Sequence, residues 1–201
     1  MVESGIFYGT VVDPVLTPLR KKVTDELTPG QKIIDIACGT GAQLFDIAKI
    51  AVQITGVDLS ESMISYAKKK AKKLGISNAE FIVADAAHLP QFKNKSFDTA
   101  IMSLALHQFN PDQYKSIIGE LDRIATTIIL VDYAAPLPQN FSGRGSRMAE
   151  FFAGREHFKN FNRFIRLGGL NKILPAHNLK ISKSNYMAWG AFQMAICSGI
   201  D

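Results

Sequence analysis

Short apolar runs alternate along the chain with longer stretches in which apolar residues recur at helical spacing. Five such runs, bounded by turn-forming residues, are typical of buried β strands. They cover residues 32–38, 52–58, 79–85, 96–106 and 126–133. Helical periodicity covers residues 12–27, 41–50, 60–75, 111–124 and 143–174. The pattern therefore predicts strands and helices in alternation, with the last helical stretch broken at Gly168 and Gly169.

The end of the chain has a different pattern. Residues 179–197 contain two β-like segments with no helical stretch between them, and we expect them to join near Asn185. Strands that are separated by helices form a parallel sheet, whereas two adjacent strands form an antiparallel hairpin. The sequence thus predicts an α/β fold, with a mostly parallel seven-stranded sheet flanked by helices and a C-terminal antiparallel β hairpin.

A glycine-containing turn follows the first predicted strand in the sequence "DIACGTGAQLF". Such a turn can hold a phosphate, a dinucleotide, a sulfonium nucleoside or no ligand. A P-loop is excluded because Ala42 and Gln43 follow the second glycine, where Lys and Ser or Thr would be needed. A dinucleotide fingerprint lacks its third glycine, since Leu44 stands there.

Three acidic residues lie at strand ends, where an open α/β sheet binds its ligands. Asp58 ends the second strand, where a carboxylate can accept hydrogen bonds from ribose hydroxyls; the alternative is an N-cap for the next helix. Asp85 ends the third strand and can accept from an adenine amine or act as a turn residue. Asp35 precedes the glycines and, if buried, needs donors from the loop or a bound ammonium.

Composition narrows the class of protein. The chain has 201 residues, 47% of them apolar, which suits one globular domain, and no run reaches the roughly 20 apolar residues of a membrane span. The first residues lack the pattern of a secretory signal, so we expect a cytoplasmic protein. Cys38 and Cys197 are far apart, and we predict neither a disulfide nor a metal site.

The net charge is +5, and five lysines of residues 68–73 contribute much of it. Apolar residues at helical spacing alternate with these lysines, which indicates an amphipathic helix with a solvated basic face. A patch for phosphate or a membrane surface is the alternative.

Four successive motifs resemble those of the class I S-adenosylmethionine-dependent methyltransferases. They are "IIDIACGTG", "GVDLSESMISYA", "IVADAAHLPQF" and "SFDTAIMSLALHQF", and the similarity extends over about residues 8–197. Their order is similar to that of the group that contains ubiquinone and menaquinone biosynthesis enzymes. The resemblance implies a Rossmann-like fold and S-adenosylmethionine as cofactor, with S-adenosylhomocysteine as product.

The resemblance also implies that residues 1–201 form a single methyltransferase domain with four regions. It gives an N-terminal helical segment or lid at 1–30, a cofactor-binding core at 31–135, a helical acceptor-pocket region at 140–175 and the hairpin at 177–201.

The resemblance implies a set of residues around the methionine end of the cofactor. We expect Asp35 to organise the loop or reach the ammonium, and the Ser103 carbonyl to accept from that ammonium. Ala37 stands where many members of the family have glycine. We expect the next residue, Cys38, to be a small packed residue rather than a nucleophile. The loop residues in contact are Ala37, Cys38, Gly39 and Gly41.

Around the nucleoside end, the resemblance implies that Asp58 holds the ribose. Leu59 and Met63 are expected to pack on the adenine ring, and Asp85 and Ala86 to face its edge.

His107 follows the fourth strand and is the candidate general base, with a structural or substrate-shaping role as the alternative. The region from Phe151 to Leu170 is rich in phenylalanine and arginine, which suits an amphipathic or anionic acceptor or else a packed helix with a basic side. We expect Tyr8, Phe152 and His157, with His107, to contact the acceptor.

The sequence therefore predicts methyl transfer to the N, C or O atom of a small or lipid-like molecule. Nucleic acid is disfavoured as the acceptor, because "SLAL" lacks the proline-aromatic signature of base-amine methyltransferases. Stable membrane insertion is not expected, and both a monomer and a homodimer stay open. The alternatives are an NAD(P)-dependent oxidoreductase, disfavoured by Leu44, and a non-catalytic module that binds S-adenosylmethionine.

Overall fold

Seven strands form one sheet in the computed structural model, which describes residues 13–200 except for the Val15 side chain. The strands are β1 (Lys32–Ile36), β2 (Gln53–Asp58), β3 (Ala79–Val83), β4 (Phe97–Ser103), β5 (Ala125–Tyr133), β6 (Leu179–Met187) and β7 (Phe192–Gly199). Their order is β3-β2-β1-β4-β5-β7-β6. Strands β1 to β5 pair in parallel, and β7 is antiparallel to both β5 and β6. The predicted Rossmann-like α/β fold with its C-terminal hairpin is confirmed.

Helices follow β1, β2, β4 and β5 and cover both faces of the sheet, whereas a segment without a helix joins β3 to β4. They are α1 (Asp13–Thr24), α2 (Ala42–Ile47), α3 (Glu61–Lys73), α4 (Tyr114–Ile124), α5 (Phe141–Ala153), α6 (Arg155–Arg166) and α7 (Gly169–Ala176). Two 3₁₀ turns, Leu106–Gln108 and Pro111–Gln113, lie between β4 and α4. Ser60 caps α3 by accepting from the Met63 amide, and Asn140 caps α5 by accepting from the Gly143 amide.

The alternation of side chains along the central strands builds two apolar cores. Ile34 of β1 packs into the core on one face, which α4, α6 and α7 cover. Its neighbour Ile33 packs into the core on the other face, where α1, α2 and α3 lie. Because both faces are covered, the parallel strands are apolar almost throughout.

The strand order reverses between β1 and β4, which places a crevice at the carboxyl ends of these strands. Register brings Asp35 of β1 beside Gly56 of β2 and Ile101 of β4. Gly56 is required there, since a Cβ would lie 2.7 Å from Phe81, 2.9 Å from Cys38 and 2.9 Å from Leu44. The segment that follows β1 therefore packs tightly over β2.

Two sequence-based boundaries are wrong. The hairpin does not turn near Asn185, which pairs with Met194 inside the ladder; the turn lies at 188–191, where Ala188, Trp189 and Gly190 all have positive φ. The stretch 143–174 also has a second break, at Gly154, whose φ of 127° suits only glycine. Helical periodicity continues through Gly154 and so concealed the break.

Within residues 13–200, no helix has the length and apolar character needed to cross a membrane.

We predict that Gly56→Ala lowers the free energy of unfolding by about 1–3 kcal/mol, because the added methyl group must displace Phe81, Cys38 or Leu44. Chemical denaturation measures this change. Gly119→Ala is the control: Gly119 is exposed in α4 with open space around its Cβ position, so alanine should stabilise by about 0.5–1 kcal/mol. A neutral Gly56→Ala would contradict the close packing of β2 against the turn.

Candidate functional site

The turn after β1 is a tight backbone loop built from left-handed residues. Ala37, Gly39 and Gly41 have φ values of 58°, 53° and 77°. The Gly41 amide donates to the Cys38 carbonyl over 2.9 Å, and α2 begins at the next residue. Ala37 adopts a conformation that favours glycine, and the chain keeps it at a cost of roughly 1–2 kcal/mol.

Asp58 fastens this turn to the second strand. One of its carboxylate oxygens accepts from the Gly39 amide over 2.8 Å. The other accepts from the Ser60 amide over 2.9 Å, where α3 begins. The two roles predicted for Asp58, in ligand binding and at the start of the next helix, are therefore compatible, because the same carboxylate supports the helix start and faces the crevice.

Helix α1 closes one side of the turn. The Thr40 hydroxyl donates to the Asp13 carboxylate over 2.7 Å, and Arg20 pairs with Asp46 of α2 over 2.7 Å. Sequence reasoning missed Asp13 and Arg20 because their partners are distant along the chain. Tyr8, the predicted lid residue, lies outside the described residues.

A cleft of about 400 Å³ opens over the turn. Eight of the residues predicted from sequence line it. They are Asp35, Ala37, Cys38, Gly39, Asp58, Met63, Ser103 and His157. Gln108 and Leu104 complete the wall that continues from β4.

A second cavity of about 190 Å³ adjoins the cleft, and the two share Ala37, Asp58, Ala105 and Gln108. Its further lining includes Leu59, Asp85, Ala86 and Phe109. Leu59 is 71% exposed, so its side chain is free to cover a flat ligand. The Asp85 carboxylate accepts from the Ala87 amide over 2.9 Å and keeps its second oxygen for other donors. The crevice is thus elongated, with Asp58 at its middle.

The inner end of the cleft carries unsatisfied acceptors. Asp35 is buried, and the described residues supply its carboxyl group with no hydrogen bond. Burial, and then the neighbouring Asp58, raise the Asp35 pKa well above its ordinary value. The Ser103 hydroxyl oxygen is also buried and has no partner among the described residues. A cationic or hydrogen-bonding ligand group would satisfy this end of the cleft.

Cys38 packs beneath the turn as a neutral thiol. Burial, and then the Asp35 and Asp58 carboxyls, raise its pKa well above the ordinary value. A thiolate nucleophile is disfavoured in these surroundings.

His107 does not line the cleft, a placement that favours its alternative structural role over that of a general base. It is 1% exposed, and its Nδ1 lies 2.7 Å from an Asp132 carboxylate oxygen. Its Nε2 lies 3.4 Å from Glu150 Oε1. Burial alone would lower the His107 pKa, but Asp132 and then Glu150 raise it to about 9. The ring is therefore buried between two carboxylates, which favour its protonated form, and it lies apart from the residues that line the cleft.

The alternative reading of His107 as a structural residue fits its surroundings. The Asp132 carboxylate also accepts from the His107 and Tyr133 amides, over 3.0 and 2.7 Å. The Tyr133 hydroxyl donates to Glu150 over 2.9 Å. We call this set, His107, Asp132, Tyr133 and Glu150, the buried ionic cluster; it joins the wall after β4 to the end of β5 and to α5.

Sequence reasoning missed three members of the cluster, Asp132, Tyr133 and Glu150. Asp132 ends the apolar run of β5 at the same sheet edge as Asp58, and this position was an available signal. Glu150 had none, because a lone acid in a helical stretch is usually solvated.

The remaining predicted residues separate into three groups. His157 of α6 lines the cleft together with Ala153. Phe152 projects into solvent beside Phe151, with ring centroids 5.7 Å apart, and does not line the cleft. Gly41 shapes the turn rather than lining the cleft, since a Cβ at this position would lie 2.9 Å from Phe81.

Comparison with known proteins gives a family match. The methyltransferase domain family matches residues 27–187. That range includes the turn, the acids at the strand ends, all of the helical region between β5 and the hairpin, and the strand β6.

Curated relatives carry methyltransferase names. An aklanonic acid methyltransferase from Streptomyces sp. (strain C5) is 35% identical over 136 residues, 62% of this chain and 61% of that protein. A demethylmenaquinone methyltransferase from Thermotoga maritima is 30% identical over 136 residues, 64% of this chain and 56% of that protein. The chain thus matches less than two thirds of the length of these relatives.

Solved structures share the fold. A magnesium protoporphyrin IX methyltransferase from Synechocystis PCC 6803, with bound S-adenosylhomocysteine, superimposes with a TM-score of 0.64 at 21% identity. The match covers 94% of this chain and 83% of that one.

We predict that stability falls as pH rises through the titration of His107. A folded-state pKa of about 9 exceeds the unfolded value of about 6.5, so the folded protein holds the proton more tightly. The stabilisation is complete below about pH 6.5 and is lost toward pH 9, by at most about 1.4 kcal/mol per pH unit. Urea unfolding at successive pH values measures the slope.

His107→Gln should be destabilised most at low pH and should lose this slope. His177→Gln, at the end of α7 and outside the buried ionic cluster, is the control and should keep it. Equal slopes in wild type and His107→Gln would show that His107 is neutral in the folded protein.

Proposed function

Because the chain belongs to the class I S-adenosylmethionine-dependent methyltransferases and is similar to their menaquinone-biosynthesis group, we propose that it transfers the methyl group of S-adenosylmethionine to a small or lipid-like acceptor. The observation that carries this proposal is the elongated crevice with Asp58 at its middle, above a turn of left-handed residues. The proposal includes N, C and O as acceptor atoms.

The inner end of the cleft fits the methionine part of this cofactor. The Asp35 carboxyl lacks a donor among the described residues, and an ammonium would supply one. We assign the Ser103 backbone carbonyl as a second acceptor for that ammonium. Ala37, Cys38 and Gly39 line the cleft and would contact the methionine chain, whereas Gly41 would act by shaping the turn.

The second cavity fits the nucleoside part. Asp58 would accept from the ribose hydroxyls while keeping its bonds to the turn. Leu59 would cover the adenine ring from the solvent side, with Met63 packing nearer the cleft. Asp85 and Ala86 would face the adenine edge.

The reaction needs positioning more than acid–base chemistry. The sulfonium supplies a methyl group that is already activated, and the acceptor attacks it in line. A base is needed only where the acceptor must lose a proton. With His107 in the core, His157 is the imidazole that remains at the cleft among the described residues, and we assign it to contact the acceptor.

The oxidoreductase alternative has no support. Leu44 stands where a dinucleotide fingerprint has its third glycine, and its side chain is buried against β2. The family and the curated relatives are methyltransferases. A cytoplasmic location and an acceptor other than nucleic acid stay predictions from the sequence.

Transfer of a labelled methyl group from S-adenosylmethionine tests the proposal. The acceptors to screen are amines, quinol precursors and phospholipid headgroups, with DNA and RNA as comparisons. Label in one small or lipid-like acceptor class is the expected result. Binding of the cofactor with no transfer across the panel would favour the non-catalytic module, and transfer to nucleic acid would contradict the acceptor class.

We predict that Asp58→Asn weakens binding of S-adenosylhomocysteine roughly 10- to 100-fold, since it removes charge-assisted bonds to the turn and to the ribose. Equilibrium binding measures the loss. Asp98→Asn is the matched control, because the Asp98 carboxylate also holds a backbone amide, that of Lys32 at 2.7 Å, at the opposite edge of the sheet. Equal losses in both variants would indicate general destabilisation instead.

We predict that His157→Gln lowers kcat/KM for the acceptor roughly tenfold or more and leaves the affinity for S-adenosylhomocysteine within about twofold. Steady-state kinetics with the acceptor found in the screen gives both values. His177→Gln should change neither. Loss of cofactor affinity in His157→Gln would remove the assignment of His157 to the acceptor.

A further inference from the structure

Helix α5 presents polar and small residues to the protein and apolar residues to solvent. Gly143, Ser146 and Glu150 are its buried residues, spaced so that they share one face. Phe141, Met148 and Phe152 follow one another at spacings of about two turns and one turn on the opposite face. Phe141 is 92% exposed, and Phe152 is 74% exposed. This is the reverse of an ordinary surface helix and indicates a contact surface.

The hairpin turn extends the same surface. The Asn140 side-chain Nδ2 donates to the Trp189 carbonyl over 2.9 Å, and the Ser142 hydroxyl donates to the Ala188 carbonyl over 2.9 Å. These bonds join the start of α5 to the turn between β6 and β7. Trp189 is 86% exposed there. We call Phe141, Met148, Phe152 and Trp189 the aromatic surface.

The charges beside this surface are positive. Arg144 and Arg147 are exposed on α5, and helical spacing places both on one side of the apolar stripe. Across α5 and residues 187–200, which form the surface, the one acidic residue is Glu150, and its side chain is buried in the ionic cluster. Aromatic and apolar side chains with flanking arginines are the chemistry of a helix that lies on an anionic lipid surface.

We propose that the aromatic surface docks on the anionic headgroup region of a lipid bilayer, with the axis of α5 in the membrane plane. Phe141, Phe152 and Trp189 would enter the boundary between headgroups and acyl chains, and the two arginines would pair with lipid phosphates. This docking is peripheral and does not depend on the proposed function. Helix α5 ends at Ala153, which lines the cleft, so a docked molecule holds its cleft beside the membrane.

Charge favours a bilayer over a second copy of this chain. A symmetric dimer through this surface would bring the arginines of both copies together, and Glu150, the one acid of these segments, is buried against His107 and Tyr133 and does not face them. On an anionic bilayer, lipid phosphates neutralise the arginines, and each arginine raises the affinity for the bilayer roughly fivefold.

Flotation with lipid vesicles tests the proposal on the full chain without cofactor. We expect binding to vesicles of phosphatidylglycerol and phosphatidylcholine, weaker binding at high salt, and much weaker binding to phosphatidylcholine alone. Trp189 is the single tryptophan of the chain, so its fluorescence reports directly on the surface. Its emission should shift to shorter wavelength with the anionic vesicles.

Surface variants locate the contact. Phe152→Ser should lower vesicle binding roughly tenfold, and the pair Arg144→Gln and Arg147→Gln roughly 25-fold. Leu74→Ser is the matched control, since Leu74 is an exposed apolar residue at the end of α3, outside the aromatic surface, and should leave binding unchanged. All these side chains are exposed, and thermal unfolding checks that each variant folds.

Three results would overturn the proposal. One is the absence of binding to anionic vesicles. Another is binding that survives Phe152→Ser but is lost in Lys69→Gln with Lys72→Gln, which would assign the contact to the basic face of α3. The third is a dimer in sedimentation without lipid that Phe152→Ser dissociates, which would make a second copy the occupant.

Discussion

Two backbone amides meet on one carboxylate, that of Asp58, and the shape of the crevice depends on this convergence. The turn after β1 contains three left-handed residues and could not keep its form by local preference alone. Asp58 fixes the turn from the second strand, and Thr40 ties it to α1 through Asp13. Close packing at Gly56 then brings the two strand ends near enough for the carboxylate to reach.

A second set of charges acts deeper in the molecule. His107, Asp132 and Glu150 are all buried, and the imidazolium between the two carboxylates offsets the cost of burying them. Because Glu150 belongs to α5, the buried ionic cluster orients that helix as well as the wall after β4. With its polar face committed inward, α5 leaves Phe141 and Phe152 facing outward.

Periodicity predicted the succession of strands and helices along the chain, and the residues at strand ends predicted most of the crevice lining. Alternating apolar runs sufficed for the seven strands, and acids at strand ends, with the motif resemblance, sufficed for Asp58 and Asp85. His107 was misplaced because sequence gives its position after β4 but not the direction of its side chain. The partners that decide that direction, Asp132 and Glu150, lie 25 and 43 residues away along the chain. The hairpin turn was misplaced because the prediction put it at Asn185, although Gly190, with a φ of 88°, was an available signal; Ala188 and Trp189 adopt positive φ with no such signal.

Calorimetric titration with S-adenosylhomocysteine, and with NAD and NADP on the same preparation, tests the central claim most directly. If the crevice around Asp58 is built for an adenosyl amino acid, S-adenosylhomocysteine binds at one site and both dinucleotides give no heat of binding. Preference for a dinucleotide, or no binding of S-adenosylhomocysteine, would contradict the assignment of the turn, the second cavity and the chemistry that rests on them.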